Sequence, residues 1–209
     1  MRKITAALFG LFLLAGCAAE SIWASDEFVQ RATYRHDGPT RITLFTMINN
    51  KTGAGAHTSL MINASQRVIF DPAGSFKHKT IPERNDVIFG ITPAVADGYT
   101  RYHARESFRV QVQTLDVSPE LAEGIMRAFM EYGAVPPAQC ALSTSRVLSQ
   151  FFPEQIKRGW FPRKLAERFQ EIPGVSSRTL REYDSDDNSR VLEDWDPNRV
   201  TRDAVSLLN

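Results

Sequence analysis

The chain has 209 residues, 25 lysines and arginines against 24 aspartates and glutamates, and two cysteines. That balance of charge excludes the basic footprint of a nucleic-acid-binding surface, so no nucleic-acid partner is expected. Two cysteines are few for an exported protein, in which cysteines are normally paired.

In chain order, Met1-Arg2-Lys3 precedes an apolar run from Ile4 to Leu14. This is the layout of a secretory signal, and it is too short for a membrane-spanning helix, which takes roughly 20 residues. Residues 1–17 are therefore expected to be an address outside the fold. Leu14-Ala15-Gly16-Cys17 resembles the lipobox of bacterial lipoproteins. The resemblance implies that Cys17 becomes the lipid-bearing first residue of the mature chain, with the membrane as its partner. Ala18 in place of Asp then implies the periplasmic face of the outer membrane. The alternative is an ordinary signal peptide cleaved near Ala18 and Ala19. About 190 residues follow Cys17, enough for one domain with a sizeable core.

Residues 18–39 mix polar and scattered apolar positions and read as a tether, leaving residues 40–209 as the domain. Ile42, Leu44, Phe45 and Met47 predict a strand over Arg41–Ile48. Asn49 to Gly55 is a flexible connection, and a second strand runs from His57 to Ile62. Asn63-Ala64-Ser65-Gln66 separates it from a third, Arg67–Phe70, as a hairpin. Asp71-Pro72-Ala73-Gly74 fits a type I turn. The strict alternation of Phe108 to Gln113 predicts a strand with one wet face.

A helix is expected from Ser118 or Pro119 to Tyr132, capped by Ser118 and closed by Gly133, with Leu121, Ile125, Phe129 and Tyr132 as its apolar stripe. After Pro136 and Pro137 a second helix runs from about Cys140 to Phe151. It carries Val147, Leu148 and Phe151 into the core, and Ala141, Ser143, Thr144 and Ser145 let it pack closely. Arg163–Gln170 is a third, more exposed helix, and Asp184 to Asp187 form an acidic turn or loop. No chemistry attaches to residues 152–209, Trp160 and Trp195 included.

If Cys17 carries lipid, Cys140 has no partner, and an odd thiol in an oxidising compartment points to use as a reactive group. The two prolines put Cys140 at the start of its helix, where unpaired N–H groups and the helix dipole stabilise a thiolate. The alternative is a small buried apolar cysteine. A thiol nucleophile needs a base held on a rigid element. Of the four histidines, His36 lies in the tether, His78 sits between lysines in a loop, and His103 reads as a strand-edge position among charged residues. His57 alone opens a convincing strand. A hairpin turn centred on Ala64 pairs Met61 with Arg67, Ser59 with Ile69 and His57 with Asp71. Opposite residues share a face with Cβ atoms about 5 Å apart, so Asp71 would orient the imidazole and stabilise its charged form. Asp71 is equally explained as the first residue of its turn.

Gly53-Ala54-Gly55-Ala56-His57-Thr58-Ser59-Leu60, then Asp71-Pro72-Ala73-Gly74, then Gln139-Cys140-Ala141-Leu142-Ser143-Thr144-Ser145 together resemble the circularly permuted branch of the NlpC-type papain-like superfamily. In that branch the histidine precedes the cysteine. The resemblance covers residues 41–74 and 135–150 and implies an α+β papain-like fold, with an antiparallel sheet packed against a Cys-bearing helix. It further implies Cys140 as nucleophile, His57 as general base, Asp71 orienting the histidine, and the N–H of Cys140 as an oxyanion donor.

The function expected is an envelope-anchored cysteine hydrolase that cleaves an amide bond, with peptidoglycan stem peptides as the substrate the resemblance suggests. A thiol acyltransferase or lipid deacylase, and a non-catalytic binding or scaffolding lipoprotein that keeps the fold, are the alternatives. This chemistry needs no cofactor. The sequence offers no HExxH and no cysteine pair, so no metal site is expected.

Overall fold

The structure is a computed structural model that describes residues 19, 21–188, 192 and 196. Cys17 and Trp195 lie outside the described residues. The described chain is a mixed α+β fold of five helices and a seven-stranded sheet, every neighbouring pair antiparallel. The strands are β1 Arg41–Asn49, β2 Gly55–Asn63, β3 Arg67–Phe70, β4 Glu83–Arg84, β5 Val87–Phe89, β6 Phe108–Asp116 and β7 Ser176–Leu180, in the order β4-β5-β3-β2-β1-β6-β7. The helices are α1 Asp26–Ala32, α2 Pro93–His103, α3 Pro119–Met130, α4 Cys140–Phe151 and α5 Pro162–Gln170.

Both faces of the central strands are covered, so the interior of β1 is buried throughout. Successive side chains of a strand point to opposite faces. On one face Ile42, Leu44, Leu60, Ile62 and Phe70 pack with Ile125 and Phe129 of α3, Leu148 of α4, and Leu165 and Phe169 of α5. On the other, Phe45, Met47, Met61, Ile69, Val110 and Val112 pack with Val95, Tyr99 and Tyr102 of α2 and with Phe76. The three-layer arrangement rests on ordinary helix-start chemistry. Ser118 accepts from the Leu121 N–H and Thr92 from the Val95 N–H, each ahead of a proline in the first turn, where a missing N–H costs nothing.

Several expectations are corrected. The hairpin turns on three residues, Ala64 to Gln66, and pairs Asn63 with Arg67 and Met61 with Ile69, so each β2 residue meets a partner two positions further along than a turn at Ala64 gives. A two-residue slip preserves the face of every side chain, because the strand period is two. The wet face of β6 is partly dry: Gln113 is fully buried beneath α5, its amide donating to the Ala166 carbonyl at 3.0 Å and to Gln170 Oε1 at 2.9 Å. Helix α5 is the more exposed helix expected, and its buried stripe is Pro162, Leu165, Ala166 and Phe169. The turn at Asp71 has the expected Gly74 N–H to Asp71 carbonyl bond at 3.0 Å, yet φ is 55° at Ala73, the sign of a type II turn.

The segment expected as a tether is docked. It contains α1, the Ala24 N–H bonds the Glu83 carbonyl, and the Arg67 N–H bonds the Tyr34 carbonyl. Of the glycines in the Asn49–Gly55 connection, Gly53 has φ of 71° and Gly55 serves packing. A Cβ on Gly55 would lie 2.6 Å from the backbone nitrogen of Arg163, so glycine is what lets the start of α5 sit against β2.

Candidate active site

Strand β3 ends at Phe70 and leaves the first half of β2 without a partner on that side. Cys140, the first residue of α4, takes up this gap, where its thiol interacts with the His57 side chain and with the backbone N–H groups of Thr58 and Ala141, all of which lower its pKa. Pro136 and Pro137 hold the chain out of helix until Gln139, whose side chain makes no cap. The free helix terminus is thus aimed at the thiol.

His57 Nε2 lies 2.6 Å from Asp71 Oδ1, leaving Nδ1 as the ring nitrogen for the thiol. The contact arises differently from the sequence expectation. Asp71 lies one residue past the end of β3, and the register of β3 places it beside Ser59, a diagonal neighbour of His57 on the same face. The Tyr99 hydroxyl from α2 is 2.9 Å from the same Oδ1 and 2.7 Å from Ser59 Oγ. With a single proton to give, Tyr99 donates to the carboxylate and accepts from the serine.

Burial opposes charge on His57, but the charge and hydrogen bond of Asp71, with a smaller contribution from Cys140, outweigh it and push its pKa up to about 10. Burial likewise opposes ionisation of Asp71 and Cys140. In both, His57 overcomes it and holds the pKa below the ordinary value, aided at Asp71 by Tyr99 and at Cys140 by the Thr58 and Ala141 N–H groups. The three shifts act together, each favouring the charged form, toward a thiolate, an imidazolium and a carboxylate in a row. The Cys140 residue is 7% exposed and the His57 side chain 19%, and a cleft of about 240 Å³ opens beside His57, lined also by Met47, Ala56, Tyr102, His103 and Arg105.

Besides Tyr99, three residues to which the sequence reading gave no part contribute to the site. His103 closes α2 instead of lying on a strand edge, and its ring stacks on His57 with centroids 6.0 Å apart and planes 20° apart. Its Nδ1 donates to the Tyr99 carbonyl at 2.9 Å, and burial lowers its pKa to about 4, so it stays neutral over the charged ring. Gly74 lies under the Asp71 carboxylate, and any Cβ there would collide with it. Asp86 joins the two halves of the site. Its carboxylate accepts the Ala73 N–H at 2.9 Å and the Val135 N–H at 2.7 Å, and its carbonyl accepts the Asp71 N–H at 2.8 Å. The turn bearing Asp71 is thereby tied to the loop leading into Cys140. Asn85 and Asp86 both have positive φ between β4 and β5, as in a type I′ turn, and the Asn-Asp pair was its one sequence signal.

The donor atoms of His57, Asp71 and His103 lie within 4.8 Å of one another, close enough to face one cation. Their present contacts are those of an acid–base pair: His57 and Asp71 touch directly, and His103 Nδ1 is committed to the backbone. His36 and His78 take no part in this cluster. The chain matches no protein-family model, no curated protein and no solved structure.

Proposed function

We propose that the protein is a thiol hydrolase that opens an amide by acyl transfer through Cys140, with His57 as acid–base and Asp71 holding the histidine. The observation that carries this reading is the row from the thiol at a helix N-terminus, through His57 beside it, to a buried carboxylate hydrogen-bonded to that histidine at 2.6 Å. Structural cysteines in apolar surroundings have raised pKa values; this one is lowered.

In the reaction, the Cys140 thiolate attacks the carbonyl carbon and the oxygen takes up the electron pair, next to the N–H of Cys140 at the helix start. Collapse of the adduct breaks the C–N bond as His57 gives its proton to the departing amine. Neutral His57 then takes a proton from water, whose oxygen attacks the thioester and releases the acid and the thiolate. The imidazolium restored at the end is the form that Asp71 favours.

Attachment to the bacterial envelope through lipid on Cys17, a relationship to the permuted NlpC-type branch, and stem peptides of peptidoglycan as substrate belong to the same proposal. They are supported by the Leu14-Ala15-Gly16-Cys17 run and by the order of histidine before cysteine. Among the described residues no helix is long and apolar enough to cross a membrane.

Alkylation by iodoacetamide, followed by mass spectrometry, tests the site without a known substrate. Wild-type Cys140 should label rapidly at pH 7, and His57→Ala should label at least tenfold more slowly. An ordinary thiol of pKa about 8.5 is only about 3% ionised at that pH. Labelling of wild type no faster than of His57→Ala, both folded, would remove the nucleophile assignment. Cys140→Ser should abolish amide release from stem peptides, and undiminished release would do the same.

A further inference from the structure

At the far end of the β2–β3 hairpin, six residues from His57 along β2 and so about 20 Å away at roughly 3.3 Å per residue, the same sheet face carries a second cavity of about 310 Å³. Arg67 lines it and is only 2% exposed, and neither its Nε nor its Nη1 has a hydrogen-bond partner. Its one described side-chain contact is with the Tyr34 ring, 5.6 Å from the guanidinium carbon. Directly across the ladder stands Asn63, 4% exposed, whose Oδ1 is also unpartnered while its Nδ2 donates to the Pro39 carbonyl at 2.7 Å.

Arginine stays protonated, so its charge cannot be relieved by losing the proton, and a buried guanidinium with unfilled donors is costly to keep. The other basic groups of the cavity do not offset the guanidinium. Arg41 and Arg178 line it too, Arg41 paired with Asp116 at 2.5 Å, and burial lowers the pKa of His36 and so favours its neutral form. No carboxylate is hydrogen-bonded or ion-paired to Arg67 among the described residues. The floor is apolar, formed by Phe45, Met61 and Val112. A cavity of this size, with an apolar floor and a few fixed polar groups, has the make-up of a small-molecule site.

We infer that this cavity is a second ligand site, which takes a small molecule bearing an oxyanion, carboxylate or phosphate, on Arg67, with its apolar part on Phe45 and Met61 and a hydrogen-bond donor toward Asn63 Oδ1. It is separate from the thiol site and does not depend on the reaction assigned there. Its role is recognition, since among the described residues none of the serines and threonines that line it is hydrogen-bonded to His36, whose Nδ1 faces the Tyr34 hydroxyl.

Titration of the full chain with inorganic phosphate and with butyrate, read by calorimetry and by backbone amide chemical shifts, tests it. At least one probe should bind saturably and move the amides of Thr43, Met61, Asn63 and Thr114, with those of His57 and Cys140 unmoved. Phosphate alone indicates a phosphate-bearing ligand, and butyrate alone a carboxylate with an apolar body. Arg67→Met should bind the active probe at least tenfold more weakly, and Arg67→Lys should recover part of the loss, because it restores charge without the planar fork. If Arg67→Met does not fold, the wild-type shift map and Arg67→Lys decide. Absence of saturable binding by both probes, or shifts confined to the thiol site, or equal affinity in a folded Arg67 variant, would overturn the proposal.

Discussion

His57 and Arg67 stand at opposite ends of one face of the β2–β3 hairpin, both cationic and both withdrawn from water, and only His57 faces a carboxylate. At the His57 end each member of the row is matched. The carboxylate serves two donors, and the thiol has the ring and two backbone N–H groups acting to lower its pKa. At the Arg67 end, two donors and one acceptor are buried and unfilled. A closed set of partners fixes protonation states and suits chemistry carried out by the protein alone. An open set leaves bonds to be completed by something else. The contrast can be broken at the closed end, one partner at a time.

The largest effect is expected from Asp71→Asn, which removes the counter-charge and keeps the shape. His57 then loses the first of the influences that oppose its burial, its pKa falls, and the Cys140 thiolate loses its charged neighbour. Alkylation at pH 7 should slow by about tenfold or more, approaching His57→Ala. Stability carries a second signature, best measured in Cys140→Ala, where the thiol no longer titrates. The folded His57 pKa is about 10 against 6.5 ordinarily. The stabilisation is therefore complete below about pH 6.5 and is lost as pH rises through 10. Melting temperature of Cys140→Ala should fall as pH rises above about 6.5, over a narrower window than in wild type because the thiol no longer helps to raise the His57 pKa, and Cys140→Ala with Asp71→Asn should show little of the slope. Equal slopes in both would mean that His57 is not held charged by Asp71.

Gly74→Ala should come next. The added Cβ would collide with the Asp71 carboxylate, so the carboxylate must swing from His57 or the turn must shift. Overpacking of this kind costs about 1–3 kcal/mol. Thermal melting should register the loss, and alkylation should slow toward the Asp71→Asn rate. An unchanged rate at lowered stability would show that the turn yields instead of the carboxylate.

The sequence made the ends of the thiol site legible because each had a local cause. Two prolines force the start of α4 at Cys140, and alternation with a turn signal marks β2 and β3. The face of Asp71 was legible too, since parity survives the two-residue slip. Its register was not, because Asn63 can end a strand or begin a turn, and the ladder with Arg67 decides. Helix α2 carried a readable start in Thr92 and Pro93, yet its eleven residues include Gly98 and a mixed polar face, and its apolar stripe emerges only against Phe45 and Phe76. Strands β4, β5 and β7 are two, three and five residues long, and β7 is mostly polar, so pairing alone defines them. Asp86 and Tyr99 reach the site across sequence separations of 49 and 28 residues. No local pattern encodes such contacts.

The smallest effect is expected from Tyr99→Phe, and its sign separates a positioning residue from a packing one. The phenol is one of two donors on Asp71 Oδ1, and its hydrogen bond helps lower the carboxyl pKa below the ordinary value. Without it Asp71 remains ionised at pH 7, so alkylation there should stay within about twofold of wild type, His57 still carrying its proton. On the acid side the change should show. Asp71 takes up a proton at higher pH, His57 loses its counter-charge sooner, and the pH at which labelling declines should move upward by less than about one unit. A uniform drop at all pH values, with the acid limb fixed, would mean that Tyr99 acts only through its packing against Phe45 and Phe76. The pH of that limb, more than the rate at neutrality, measures how tightly the thiol end of the hairpin is closed.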